Sequence, residues 1–270
     1  MDSKIAELDE KRAYRNLIKS FDLVTFEVVY NETDLLVSAK SDLKKLTFEL
    51  IKNYYREVEN YIRKNPLFGK SFFPIEVEDE APEIVKKMSV AGKIADVGPM
   101  AAVAGTIAEF VGRDLLKFTD EVIVENGGDI FMQTLKDRVI SIYAGNSEIT
   151  YKVGIRINRK SSPCGICTSS GVIGHSFSFG KADAAVVVSE SAAIADAFAT
   201  AIGNIVKTEK DIKIAIDFAK TKKSIRGVII IIEDKIGIYG DIEVVNLHGQ
   251  SDKRMYSGQY NSNFDSKKNY

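Results

Sequence analysis

Asp196 and Thr200 lie four residues apart in the stretch Ser191 to Val206, SAAIADAFATAIGNIV, where almost every other side chain is Ala, Ile, Val or Gly. In a helix this spacing sets a carboxylate and a hydroxyl on one face. An acid and a hydroxyl on an apolar face must satisfy each other, cap something, or hold a cation. Hard cations such as Mg²⁺ take carboxylate, hydroxyl and carbonyl oxygens, and usually keep a substrate phosphate in the shell. One Asp and one Thr therefore make half a metal site, supported by the turn Ser189-Glu190-Ser191 before them. The alternative is a plain Asp–Thr hydrogen bond that satisfies a buried acid.

Four further groups could carry chemistry. Asn126-Gly127-Gly128-Asp129 follows the strand-like run EVIVEN, and two glycines let the backbone turn its N–H groups toward an anion. Asn-Gly is also a strong hairpin signal, so a simple turn is the competing reading. Thr168-Ser169-Ser170-Gly171 leads toward His175, one of only two histidines, among hydroxyls that suit an acid/base role or a ligand contact. No G-x-S-x-G elbow accompanies it. Cys164-Gly165-Ile166-Cys167 is a C-x-x-C without a second pair, which favours two buried thiols over a redox or zinc site. Asp96-Val97-Gly98, followed by Pro99, reads as a helix-entry turn.

These groups need a scaffold, and the hydrophobic periodicity supplies one. Strands are expected over FDLVTFEVVY and DLLVSAK, joined by a turn at Asn31 to Thr33. A long helix capped by Ser41 runs to about Lys64, with Leu43, Leu46, Leu50, Ile51, Tyr54, Val58, Tyr61 and Ile62 as its inward stripe, and Pro66 stops it. Helices follow over PEIVKKMSVAGKIA and the small-residue PMAAVAGTIAEFVGRDLLK. EVIVENGGDIFMQTL, RVISIYAG, YKVGIRI, CGICTSS and DAAVVVSE read as strands. Next come the Asp196 helix, a helix over KTEKDIKIAIDFAK, and a hairpin IRGVIIIIEDKIGIYG turning near Asp234-Lys235. The element order predicts an α+β fold with mainly antiparallel sheets, a single domain over 1–250, and a polar, mobile tail over 251–270.

The bulk properties exclude several classes. A net charge of −1, from 37 basic and 38 acidic side chains, leaves no electrostatic footprint for nucleic acid or an anionic membrane. No run approaches a membrane span. The charged start MDSKIAELDEKRAYRN carries no apolar leader, and two cysteines suit a reduced cytoplasmic setting. The Gly- and Ala-rich helix could meet another subunit, giving a homo-oligomer, as easily as its own sheet.

Taken in order from Ala91 to Asn204, these segments resemble the ApbE-type FAD:protein FMN transferases, and more closely a cytoplasmic family related to those enzymes. Ala195-Asp196-Ala197-Phe198-Ala199-Thr200-Ala201 is similar to the transferases' A-D-x-x-x-T-A metal segment. The resemblance implies that Asp196 and Thr200 ligate Mg²⁺ on the pyrophosphate of FAD. It also implies that Asn126, Gly127, Gly128 and Asp129 lie against the flavin nucleotide, and that Asp96 and Gly98 open a helix over the ligand. Thr168, Ser169, Ser170, Gly171 and His175 fall where the family has its Ser-Gly segment and flavin-proximal histidine. An acceptor protein for the flavin would be the partner. The family's Lys-Gly pair is replaced by Pro99, Met100 and small residues, its D-P-x-T-G loop by Ser176 to Gly180, and its Tyr-Glu-Arg is missing. Two functions are therefore expected: a Mg²⁺-dependent enzyme transferring or hydrolysing the flavin phosphate of FAD, or a non-catalytic flavin- or nucleotide-binding protein of the same fold.

Overall fold

The computed structural model describes residues 22–145, 147–171 and 179–247. Runs of Val and Ile, unbroken by charges, are strands buried on both faces, and most of them join one antiparallel sheet. Its strands are β1 (Val24–Tyr30), β2 (Thr33–Ala39), β3 (Val122–Asn126), β4 (Asp129–Gln133), β7 (Cys164–Ser169), β8 (Ala184–Ser189), β9 (Ile225–Ile232) and β10 (Lys235–Gly240). They lie in the order β1-β2-β3-β4-β7-β8-β9-β10. A second sheet, ordered β11-β6-β5, is built from β5 (Arg138–Ser141), β6 (Val153–Ile157) and β11 (Glu243–Asn246).

Five helices cover one face of the large sheet and the small sheet covers the other. The helices are α1 (Lys44–Lys64), α2 (Glu83–Ala95), α3 (Val103–Leu115), α4 (Ala192–Ile205) and α5 (Asp211–Lys220). Period-two alternation sorts each strand between two cores. Val122, Val124, Val228 and Ile230 join the helical core, whereas Ile123, Ile229 and Ile231 join the core beneath the small sheet. Helix α3 packs over β3 and β4, α4 over β7 and β8, and the two helices pack on each other.

The expected α+β class and antiparallel pairing are found. Differences are local. The first helix begins at Lys44 with Leu43 as its cap residue rather than Ser41, because the Asp42 carboxylate already accepts the Lys44 amide at 2.9 Å. The small-residue segment divides into a 3₁₀ turn, Pro99–Ala102, and α3. The last hairpin turns at Glu233-Asp234, since Ile232 pairs with Lys235. Strand β11 was not expected at all. No single helix among the described residues is long and apolar enough to cross a membrane. The tail expected over 251–270 lies outside the described residues.

Candidate functional site

The site assembles where α3 and α4 cross above the ends of β3, β4 and β7. Gly105 makes the crossing close. A Cβ placed there would lie 2.4 Å from the Ala192 carbonyl oxygen and 2.8 Å from the Asp196 Cβ, distances that exclude any side chain. At this crossing each helix lends an acid to the other's first turn, where backbone amides have no intrahelical acceptor. Asp196 Oδ2, from α4, accepts the Gly105 amide of α3 at 2.8 Å. Glu109 Oε2, from α3, accepts the Ser191 hydroxyl at 2.6 Å and the Ala193 amide at 3.2 Å at the start of α4.

The two acids perform the same service in opposite electrostatic settings. Burial alone would raise the Glu109 carboxyl. The Ser191 hydroxyl, Lys87, the Ala193 amide and Arg113 outweigh that and hold it below its ordinary value. Arg113 Nη2 stands 2.9 Å from Glu109 and Lys87 Nζ 3.7 Å. Asp196 has no cation beside it among the described residues. Burial pushes it up to about 7, against the opposing pull of the Gly105 and Ala104 amides.

Asp129 deepens the deficit. It opens β4, is buried, and accepts the Thr168 amide at 3.2 Å. Burial and then the neighbouring Asp196 charge raise it well above the carboxylate range; the Cys167 thiol and the Thr168 amide pull the other way, and Glu125 pushes it up again. Two buried carboxylates thus feel one another with no cation between them among the described residues, and they ionise as a pair. Such a pair fits a divalent cation. No three His, Cys, Asp or Glu side chains among the described residues form a complete metal cluster, so water, a hydroxyl or a ligand oxygen would complete the shell.

Asn126 and Asp129 flank a two-residue hairpin turn, with Gly127 at φ 64° and Gly128 at φ 100°. A side chain at either glycine would meet no atom within 4 Å at its Cβ, so backbone conformation, not crowding, demands them. The Gly128 amide donates to Glu125 Oε1 at 2.7 Å, so it is engaged by a carboxylate of the preceding strand β3. The Asn126 amide reaches the Ala104 carbonyl at 3.1 Å.

The other expected positions are distributed around this group. Thr200, half-buried, follows Asp196 by one helical turn. No hydrogen bond joins the two among the described residues; the amides of α3 satisfy Asp196 instead. Ser169 is buried in β7 opposite Ala185, and Ser170 is half-buried. The exposed Gly171 donates its amide to the Ala182 carbonyl at 2.9 Å. Asp96 is exposed at φ 60° and ends α2. Gly98 is buried so tightly that a Cβ would lie 1.8 Å from the Ser71 carbonyl oxygen. Neither Asp96 nor Gly98 makes a hydrogen bond to the acid pair, but the 3₁₀ turn they introduce packs on α4. Phe72, beside Ser71, meets Phe179 edge-on at 5.1 Å, and both rings are exposed. His175 and Ser176 to Ser178 lie outside the described residues.

The C-x-x-C divides between two layers. Cys164 belongs to the core under the small sheet and Cys167 to the helical core, because an i, i+3 spacing on a strand points to opposite faces. They cannot share a disulfide or a metal. Cys167 nonetheless joins the site: its thiol donates to the Ala192 carbonyl at 3.3 Å, and burial followed by the Asp129 and Asp196 charges raises it far above its ordinary value. The sequence marks Cys167 only as half of the C-x-x-C, read as a buried thiol, and does not mark Glu109. Glu109 carries the same signal as Asp196, a single acid in the apolar run GTIAEFVG.

Comparison with known proteins fits this architecture. Residues 15–226 match the family described as AbpE bacteria. The chain belongs to that family. It is 46% identical over 240 residues to the UPF0280 protein MJ1526 of Methanocaldococcus jannaschii, covering 86% of this chain and 96% of that one. A UPF0280 protein of Methanobrevibacter smithii is 39% identical over 219 residues, covering 78% and 91%. Among solved structures, the flavin transferase ApbE from Vibrio cholerae superposes with a TM-score of 0.54 at 14% identity, covering 82% of this chain and 97% of that one. The ApbE protein from Thermotoga maritima gives 0.55 at 12% identity, covering 82% and 96%. At these identities the likeness is one of fold.

Proposed function

We propose that this protein is a Mg²⁺-dependent enzyme acting on the pyrophosphate of a flavin dinucleotide such as FAD. The observation that carries the reading is the buried Asp129–Asp196 pair, which lacks a cation among the described residues, in a fold shared with a protein named as a flavin transferase. Asp196 and Thr200, with Asp129 close by, would hold the metal. When bound, a divalent cation neutralises phosphate charge and polarises the phosphoryl oxygens.

The chain's own residues do the positioning. Asp196 is oriented by the Gly105 amide and Asp129 by the Thr168 amide, so both acids are preorganised before any ligand arrives. The open space over Gly127 and Gly128 admits the phosphates close to the backbone. Phe72 and Phe179 offer exposed ring surface for an apolar ligand group. In the reaction, one P–O bond of the pyrophosphate breaks and AMP leaves. The FMN phosphoryl passes either to an acceptor-protein hydroxyl, whose proton must be removed, or to water. His175 is the candidate for that proton. Two unpaired buried thiols suit a cytoplasmic enzyme.

A second reading, a flavin- or nucleotide-binding protein without turnover, draws support from the Gly128 amide, which Glu125 engages, and from Pro99 and Met100 in place of the transferases' Lys-Gly. One experiment separates the two. Purified protein and Asp196→Ala are incubated with FAD and Mg²⁺, and FAD, FMN and AMP are resolved by chromatography. Loss of FAD with AMP release, dependent on metal and on Asp196, is expected. Intact FAD retained by the wild type would favour the binding protein, and no binding at all would remove both.

A further inference from the structure

We infer that Asn126 is a positioning residue for the cation half-site, acting on Asp196 through one peptide group. The inference rests on the proposed cation at Asp196. The carbonyl of Ala104 and the amide of Gly105 are the two ends of a single planar unit. Asn126 Nδ2 donates to that carbonyl at 3.1 Å, and the amide donates to Asp196 Oδ2 at 2.8 Å. A side chain at the end of β3 and a side chain in the middle of α4 therefore hold opposite ends of the same peptide.

Three properties make this more than two separate hydrogen bonds. The peptide cannot move aside, because Gly105 sits against the Ala192 carbonyl and the Asp196 Cβ at the helix crossing. It lies within α3, so the helix already fixes its plane, and the two side chains add a donor at its carbonyl and an acceptor at its amide. A donor on the carbonyl also polarises the amide at the other end, so the Asn126 bond strengthens the hydrogen bond that orients Asp196. Finally, Asn126 is buried and leads directly into the Gly127-Gly128 turn, whose surroundings are open. The Asn126 hydrogen bond thus ties the start of that turn to α3. A ligand at the turn and a cation at Asp196 are consequently coupled through about one peptide's width of structure, as outer-shell partners couple to metal ligands elsewhere.

The test uses the full chain, labelled with ¹⁵N and titrated with MgCl₂ alone. The Gly105 amide and the Asn126 side-chain amide resonances are expected to shift together with one midpoint. Asn126→Ala, which touches no metal, is expected to weaken Mg²⁺ by about 10-fold, the lower end of the effect of removing a ligand's supporting partner. A purely structural Asn126 would lower thermal stability and leave the Mg²⁺ midpoint where it was. If Mg²⁺ shifts Gly105 while the Asn126 amide stays silent, or if Asn126→Ala binds Mg²⁺ like the wild type, the inference is wrong and the cation reading survives. If Mg²⁺ moves no resonance of the wild type, both fall together. Should Asn126→Ala fail to fold, the wild-type titration decides alone.

Discussion

Replacing Asp196 by Asn should stabilise the metal-free protein at alkaline pH. The carboxyl is pushed from an ordinary 3.8 up to about 7 by burial. Its folded value is thus above its unfolded one, so between these pH values the native state holds a proton that the unfolded chain releases. Stability is full below about pH 4 and is lost as the pH rises toward about 7, since it falls wherever the native state binds more protons. A shift of roughly 3 units at about 1.4 kcal/mol per unit gives a loss on the order of 4 kcal/mol. Asp129 shifts the same way and steepens it. Asn at 196 keeps an oxygen for the Gly105 amide but cannot ionise, and it relieves Asp129 of a like charge. Urea denaturation followed by circular dichroism, with EDTA present, would compare wild type and Asp196→Asn near pH 5 and near pH 8. Taking the difference between the two proteins at each pH cancels the titrating groups away from the Asp129–Asp196 pair. The variant's advantage should widen from about 1–2 kcal/mol near pH 5 to about 4 kcal/mol near pH 8, with Mg²⁺ closing the gap for the wild type alone. Parallel pH curves, or a variant weaker near pH 8, would refute the argument that this acid is buried without a counter-charge.

Other perturbations probe the frame around it. Gly105→Ala puts a methyl 2.4 Å from the Ala192 carbonyl oxygen and should destabilise by about 2–3 kcal/mol in a melt, the range for overpacking a close contact; a neutral result would mean that α3 and α4 can separate. Glu109→Ala strips the acceptor from the Ser191 hydroxyl and the Ala193 amide and should cost about 2–3 kcal/mol as buried donors lose their partner. Glu109→Gln, which keeps an acceptor oxygen, should recover part of that in the same chemical-denaturation assay. Gly127→Ala meets no atom within 4 Å yet must hold φ near 64°, so a loss of about 1–2 kcal/mol is expected from conformation alone.

Much of this arrangement was legible in the sequence because strands and helices declare their periods locally. The Ala-rich run around Asp196 reads as a helix, and Asn126-Gly127-Gly128-Asp129 as a turn, from a few neighbouring residues each. What joins them is not local. Gly105 meets Ala192, and Asp196 answers the amides of a helix 91 positions earlier in the chain; no spacing rule reports such a pairing. The Asp–Thr hydrogen bond was a reasonable local solution, and a distant helix end supplied a different one. The resemblance brought Asp129 to the flavin, but its proximity to Asp196 depends on how β4 and α4 stack. Strand β11 is only Glu243 to Asn246, too short for alternation to separate it from a loop. The small sheet was equally hidden: buried runs such as IRGVIIII announce that both faces are covered without saying by what.

The division of the C-x-x-C between two layers gives the molecule a pair of internal reporters. Cys164 and Cys167 are three positions apart on one strand, yet each is sealed by different neighbours. Burial raises both thiols, Cys164 up to about 12, so a labelling reagent reaches either one only when its own layer opens. Single-cysteine versions would then time two events independently, the lifting of the small sheet and the parting of the helices from the large one. If the helical layer holds the ligand, adding it should slow modification at Cys167 and leave the rate at Cys164 nearly untouched.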